Sequence, residues 1–515
     1  MKEKFKEAIK KNYTKIIFTI LLIIGIIVRV WNFPEGIPEI NIDEIMTAVN
    51  AKSIAETGKD ILGQSFPVYL LGWGGQSVVL VYLMAICVKI FGYTLFAIRI
   101  PTLIISIISL VVFYDFIKKI MDNKNVALVG LGLLVISPWH IMQSIWSLDC
   151  NMFPHFLLFA MDILVTGLKE KKRGLIYLSM FFFALTLYCY GIAIYFVPFF
   201  LLIMAIYLVK KKKLRIPDLI VCIAIFIFFA LPIVTMFILN GFGINKTITI
   251  FNITIPFYEN LNRTTDMLLF SENKLEQLLQ NILDTFSLII LQYDKILWNT
   301  TSLFGTTYHI TLVFVVLGII DIVKRLKKKS DEDKTSSVML ITWLTLSTLT
   351  GFLVNQTNAN RLNSIWYVLI AIGTLGIWAT YKEVKNKKVF KYDAIAVYAI
   401  LFILFSVYFY KYHVPKIDMS TCFSNGFYQS LIYANDTDKK KVYFDDTDPR
   451  GRYTYYLTLG NDETKEYIRL TTAEEVQEKI DNLQDDEIIL ANEKFNNYES
   501  DYEKERIRYF VLIYK

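Results

Sequence analysis

Long apolar stretches separated by short lysine-rich breaks fill the chain up to residue 411, and beyond it the apolar runs shrink to strand length. A helix that crosses a bilayer needs about 20 mostly apolar residues. Runs of that kind occupy 16–30, 98–117, 126–146, 152–168, 175–190, 192–209, 217–239, 310–323, 338–354, 362–380 and 394–410. They predict about eleven transmembrane helices. One further run, 77–91, is apolar but too short to cross, and it reads as a re-entrant or interfacial helix.

Lysine and arginine gather on the cytoplasmic side of membrane proteins. The clusters at 118–124, 169–173, 210–215, 324–329 and 382–391 all face one side only if 77–91 does not cross. Residues 1–15 carry six lysines, and no small-residue cleavage site follows the first span, so this segment reads as a cytoplasmic tail before an uncleaved anchor. The N-terminus is then cytoplasmic and the C-terminus extracytoplasmic. The outer face collects the loops 31–76 and 240–309, the turn around Asp149 and the short turn 355–361. In the transmembrane part, 16–411, the polar chemistry falls on one side.

In 412–515, the segments 441–444, 487–490 and 509–514 alternate as strands do, and 425–434 and 473–482 have helical spacing. This predicts a small extracytoplasmic α/β domain. It has no glycine-rich phosphate loop and no nucleophile motif, which points to a lid, a substrate-docking element or a partner-binding surface.

Composition agrees with a membrane-embedded chain, at 54% hydrophobic and 15% aromatic residues. The net charge of +7 resides in loops between spans, so it does not signal nucleic-acid binding. Of five cysteines, only Cys422 lies in a polar region and none forms a CxxC pair, so neither a disulfide framework nor a zinc site is indicated. Gly130-Leu-Gly132 lies within a span and Gly241-Phe-Gly243 lacks the rest of a nucleotide fingerprint. His140 and His155 have no second histidine at ligand spacing and read as hydrogen-bonded span residues.

The pair Asp43-Glu44 opens the first outer loop and admits two readings. Asn41 as N-cap with Glu44 at the third helical position is a capping box, followed by apolar Ile45, Val49 and Ile54 and a stop at Gly58. Acids in a first turn also suit the helix dipole. Alternatively Asp43, rotated about 100° from Glu44 around the helix, faces a cavity and acts as a base. The two readings are compatible.

Asp43-Glu44, Gly58-Lys-Asp60, Gly63, Pro67-Val-Tyr69, the run 80–83, Phe91-Gly92 and Arg99-Ile-Pro101 together resemble the N-terminal module of polytopic GT-C glycosyltransferases of the protein-mannosyltransferase and aminoarabinose-transferase (ArnT-like) type. Ser137-Pro138-Trp139-His140 leading to Asp149, and Asn360-Arg361 before a late span, resemble further parts of it. The resemblance implies a hexosyl- or pentosyltransferase that takes a polyprenyl-phosphate sugar from the bilayer and passes the sugar, with inversion, to a lipid, glycan or protein acceptor outside the cytoplasm. It implies Asp43 as the residue that orients or deprotonates the acceptor hydroxyl, with Glu44 beside it, and Arg361 and Arg99 as partners of the departing phosphate. Asp149 would position the acceptor or share a divalent metal with Asp43. Where relatives carry a basic residue just before this acid, this chain has Ser144, Ile145 and Ser147. Tyr188 and Tyr190 are belt residues, or stack on a sugar or polyprenyl unit. Two other classes are a lipid or polysaccharide flippase, which would show mid-span charges and inverted repeats, and a sensor working through its C-terminal domain.

Overall fold

Helices apolar on nearly every face build most of the molecule, as elements must that touch lipid on one side and protein on the other. The computed structural model describes residues 2–31, 33–34, 39–259, 261, 273–328, 334–418, 422–424, 426–448, 451–496 and 502–515, without the side chains of 2–11 and 418. Expected features at Lys329 and Asn425 therefore lie outside the described residues.

The order begins α1 (Lys2–Val30), α2 (Ile42–Thr57), α3 (Val79–Phe91), α4 (Leu95–Met121), α5 (Lys124–Ile136), α6 (Pro138–Met142), α7 (Met152–Lys169), α8 (Arg173–Thr186), α9 (Ala193–Lys210) and α10 (Ile216–Gly241). A hairpin of β1 (Ile248–Ile250) and β2 (Ile253–Ile255) follows, then α11 (Lys274–Leu291), α12 (Ile310–Lys327), α13 (Thr335–Leu353), α14 (Ile365–Glu383), α15 (Lys387–Tyr408) and α16 (Val414–Asp418). Among the described residues eight helices are long and apolar enough to cross a membrane, in α1, α4, α7, α9, α10, α13, α14 and α15. Helices α3, α5 and α8 are apolar but shorter. The protein is a multi-pass membrane protein.

The segment expected as one span over 126–146 is broken. α5 stops at Ile136, Ser137 is extended, and α6 restarts with Pro138 in its first turn. Proline supplies no N–H and keeps the preceding residue out of the helical region, so hydrophobicity cannot carry the helix across this point. The chain instead folds into a turn that ends at Asp149. Elsewhere α12 and α14 pack at backbone distance: a Cβ on Gly376 would collide with the carbonyl of Phe314, and one on Gly318 with that of Ile372. Close approach of this kind is what small residues contribute where lipid gives no hydrophobic drive.

The C-terminal part contains α17 (Phe427–Asn435), β3 (Lys441–Asp445), α18 (Arg452–Gly460), β4 (Glu466–Leu470), α19 (Ala473–Asp481), β5 (Glu487–Asn492), β6 (Glu503–Ile507) and β7 (Phe510–Tyr514). The sheet runs β4-β3-β5-β7-β6, with β3 parallel to both β4 and β5, and β7 antiparallel to β5 and β6. Its two faces pack differently. Ile489, Ala491, Val511 and Ile513 meet Val476 and Ile480 of α19. Ile488, Leu490, Phe510 and Leu512 join Phe427, Phe444 and Tyr456 in an apolar core that continues into the helical bundle.

The lysine clusters fix an expected orientation. A reporter active only outside the cytoplasm is expected to be active when fused after Lys515 and silent when fused after Lys213. The reverse pattern would turn the molecule over.

Candidate active site

Helix α2 begins as its sequence requires. The Asn41 side chain accepts the Asp43 N–H at 2.9 Å, and the Glu44 carboxylate accepts the Asn41 N–H at 3.3 Å, completing the capping box. At the other end Gly58, with φ +72°, donates its N–H to Ile54. The capping reading of Glu44 is therefore correct, and it is not the whole role of that residue.

Glu44 is 0% exposed and Arg99 of α4 is 1% exposed. They form a two-pronged ion pair, Nε to Oε1 at 2.9 Å and Nη2 to Oε2 at 3.0 Å. Arg99 also donates to the carbonyls of Pro34 and Glu39, and Glu44 also accepts the Ser147 N–H at 3.0 Å. The guanidinium expected to meet a donor phosphate is engaged by Glu44. Asp43, one position earlier, is half-buried on another side of the helix.

Asp149 is linked to helix α2 through a turn. It is 7% exposed, and its Oδ2 accepts the Ser77 N–H at 3.1 Å. The adjacent Gln76 side chain bonds Thr47, whose hydroxyl donates to the carbonyl of Asp43 at 2.6 Å. One turn, Gln76-Ser77, therefore links Asp43's helix to Asp149. The next residues, Val78 and Val79, donate their N–H groups to the carbonyl of Tyr188. Tyr188 itself donates to the Phe229 carbonyl at 2.7 Å and lines an apolar cleft of about 380 Å³ with Phe66, Val79, Tyr82, Leu185 and Ile253. Tyr190, two residues on, is half-buried. Asp60 builds the preceding loop by accepting the Leu62 and Gln64 amides; burial pushes its carboxyl up, and those amides pull it back.

Arg361 sits half-exposed between α13 and α14, with Nη1 on the Gln356 carbonyl at 2.9 Å. Its neighbours bind this loop to the turn before Asp149: Asn360 accepts from Gln143, and Asn363 donates to the Cys150 carbonyl at 2.8 Å. Asp294 holds the loop from the other side, accepting the Ala359 N–H at 2.9 Å. The loop carrying Arg361 and the turn carrying Asp149 are one hydrogen-bonded unit.

Sequence reasoning missed a polar chain inside the bundle. Arg29 of α1 donates to His140 Nδ1 at 3.1 Å and to the carbonyls of Gly25, Val135 and Leu134. His140 Nε2 meets Ser109 and Tyr367, and the Tyr367 hydroxyl meets His155 Nδ1 at 2.7 Å. Both histidines are hydrogen-bonded, as expected; His155 lies in the span α7, whereas His140 lies in the short helix α6. The signal that could have found the chain is Arg29 itself, a lone cation closing an apolar span. Among the described residues no three His, Cys, Asp or Glu side chains stand at metal-ligand spacing.

A family model described as dolichyl-phosphate-mannose-protein mannosyltransferase matches residues 76–235. Solved structures extend the likeness over almost the whole chain. The archaeal oligosaccharyltransferase AglB from Archaeoglobus fulgidus, in complex with an inhibitory peptide and a dolichol-phosphate, aligns with a TM-score of 0.53 at 12% identity, covering 95% of this chain and 70% of that one. ArnT from Cupriavidus metallidurans aligns in its apo state with a TM-score of 0.53 at 7% identity, and bound to undecaprenyl phosphate with 0.51 at 9% identity, covering 98% of each chain in both cases. The chain has the GT-C fold of the protein-mannosyltransferase and ArnT type. No curated protein sequence matches it. Within this GT-C fold the matched span 76–235 includes Arg99, Asp149, Tyr188 and Tyr190, whereas Asp43 and Arg361 lie outside it.

Breaking a buried, hydrogen-bonded ion pair by removing one partner costs about 3–5 kcal/mol, because the other charge is left in the interior. Arg99→Ala is expected to lower the thermal stability of the detergent-purified protein on that scale, and Glu44→Gln with Arg99→Met to recover much of the loss. Calorimetry or dye-based melting reads both; an Arg99→Ala protein as stable as the parent would remove the pair from its structural role.

Proposed function

We propose that this protein is a glycosyltransferase that moves a sugar from a polyprenyl-phosphate donor to an acceptor hydroxyl at the extracytoplasmic face of the membrane, with inversion at the anomeric carbon. The observation that carries the reading is the division of labour in α2's first turn: Glu44 is fully committed to cap and ion pair, and Asp43 is held rigidly beside it with partial solvent access.

In this reaction the acceptor oxygen forms a bond to the anomeric carbon while the bond from that carbon to the phosphate oxygen breaks. Asp43 takes the hydroxyl proton from the side opposite the leaving group, the task of a general base. The departing polyprenyl phosphate gains negative charge, and Arg361 offers a guanidinium that stays protonated and can grip two oxygens at once. Asp149, anchored by the Ser77 amide, orients the acceptor. The apolar cleft beside Tyr188 suits the first isoprenoid units of the donor. The AglB structure contains a dolichol-phosphate and one ArnT structure contains undecaprenyl phosphate, which supports a polyprenyl phosphate as carrier here. The comparisons lend a flippase no support.

Purified protein incubated with a panel of polyprenyl-phosphate sugars together with lipid, glycan and peptide acceptors is expected to release polyprenyl phosphate with one of the donors; release with none would end the reading. Asp43→Asn keeps shape and loses the proton acceptor, so turnover per folded molecule is expected to fall roughly 100-fold or more. A nearly active Asp43→Asn protein removes the base.

The phosphate contact has its own test. Arg361→Lys should slow turnover, since a point charge cannot reproduce the planar fork, and Arg361→Ala should slow it further at unchanged membrane abundance. Unimpaired Arg361→Ala would leave the phosphate without this partner.

A further inference from the structure

The segment Glu39–Ile42 that leads into Asp43 is held from both sides. On the bundle side Arg99 donates to the Glu39 carbonyl at 3.2 Å, and Trp73 Nε1 donates to the Ile42 carbonyl at 3.2 Å. On the other side the C-terminal domain supplies the following contacts. The Ile42 N–H donates to the Cys422 carbonyl at 2.8 Å, and the Tyr456 hydroxyl donates to the Ile40 carbonyl at 3.0 Å. The buried Glu39 carboxylate accepts the Gly426 N–H at 2.9 Å and the Ser424 hydroxyl, and pairs with Arg508 at 3.2 Å. Phe423, wholly buried, lies edge-on to Trp146, the residue before the Ser147 whose amide holds Glu44. Helix α18 packs against α2 itself.

These contacts are built to a tight geometry. Gly426 has φ +94°, and a Cβ there would stand 2.6 Å from the Ile507 carbonyl. Glycine lets the Gly426 amide face Glu39 while the β6–β7 hairpin closes behind it. Arg508, at the tip of that hairpin, has φ +56°, an uncommon backbone state for a residue with a side chain. Main-chain bonds to residues 40 and 42, a charged latch on residue 39 and an apolar plug beside Trp146 all converge on the peptide units just before Asp43. A lid would touch the rim of the site; this domain grips the segment that leads into the base-bearing helix.

We propose that the C-terminal α/β domain aims Asp43, with Glu39 and Arg508 as positioning residues that set the direction of its carboxylate without touching substrate. The proposal rests on the reading of Asp43 as the base. A displacement of about 1 Å in a reacting group can cost on the order of 100-fold in rate, so loosening this segment should appear in kcat and leave the donor KM in place.

The test uses the full chain in detergent or nanodiscs with the polyprenyl-phosphate sugar that releases polyprenyl phosphate in the panel. Arg508→Ala and Glu39→Gln are each expected to lower kcat by roughly tenfold with donor KM unchanged, and to speed hydrogen exchange of the amides from Ile42 to Thr47. Arg508→Lys, which keeps the charge, should recover most of the rate. Introduced into Asp43→Asn, the same substitutions should cost nothing further, because the group they aim is already gone. Should Arg508→Ala fail to fold, Tyr456→Phe removes a single hydroxyl and is expected to show the same kcat-only loss at smaller size. Unchanged kcat in these variants, or equal losses with and without the Asp43 carboxylate, overturns the proposal. A fully active Asp43→Asn protein instead overturns the base reading.

Discussion

The ion pair between Glu44 and Arg99 is the constraint around which the site is arranged. Two charges removed from water lose far more hydration than their attraction returns unless further hydrogen bonds fill the remaining positions. Here the Asn41 and Ser147 amides and the Pro34 and Glu39 carbonyls fill them. Satisfying the pair therefore obliges four separate stretches of chain to meet: the start of α2, the first turns of α4, the turn before α7 and the segment gripped by the C-terminal domain. Apolar packing alone would leave the relative rotation of those elements loosely defined. The pair selects one arrangement, and Asp43 inherits its position from it.

Much of this was legible in the sequence because it is local. A capping box is written in four consecutive residues, and Asn41-Ile42-Asp43-Glu44 formed one, with Gly58 ending the helix as expected. The membrane helices followed from runs of apolar residues, since in lipid the backbone has to satisfy itself. Of the eleven expected spans, those at 126–146, 175–190 and 310–323 are not among the eight described helices long and apolar enough to cross; at the first of them Pro138 defeated the logic, because a hydropathy run does not register a single missing N–H. In the C-terminal domain, the strands read from the sequence were the three buried ones, β3, β5 and β7. The two missed strands, β4 and β6, are the edges of the sheet. Their charged, exposed positions, as in Glu503-Lys504-Glu505-Arg506, protect an edge from pairing with another chain and erase the apolar signal at the same time.

The site was legible residue by residue and not as a set of partners. Asp43, Glu44, Arg99 and Asp149 could each be picked out as polar groups in an apolar setting. That Arg99 answers Glu44 depends on a contact 55 residues apart, and that Glu39 answers Arg508 depends on the last hairpin of the chain. Spacing along a sequence does not encode such pairs. They exist only once α2, α4 and the sheet have packed.

Arg29 sets a condition on the order in which the protein can assemble. Its guanidinium is buried in the finished bundle, but apart from the Gly25 carbonyl of its own helix the acceptors that receive it, the carbonyls of residues 134 and 135 and the imidazole of His140, are separated from it by more than a hundred residues of chain. When α1 first enters the bilayer none of them has been made. A long cationic side chain at a helix end meets that interval by snorkelling to the nearby headgroups. The transfer from lipid phosphate to backbone carbonyl can then occur only when α5 and the broken helix after it arrive, so the kink at Pro138 doubles as the receptor that retires the first helix from the lipid interface.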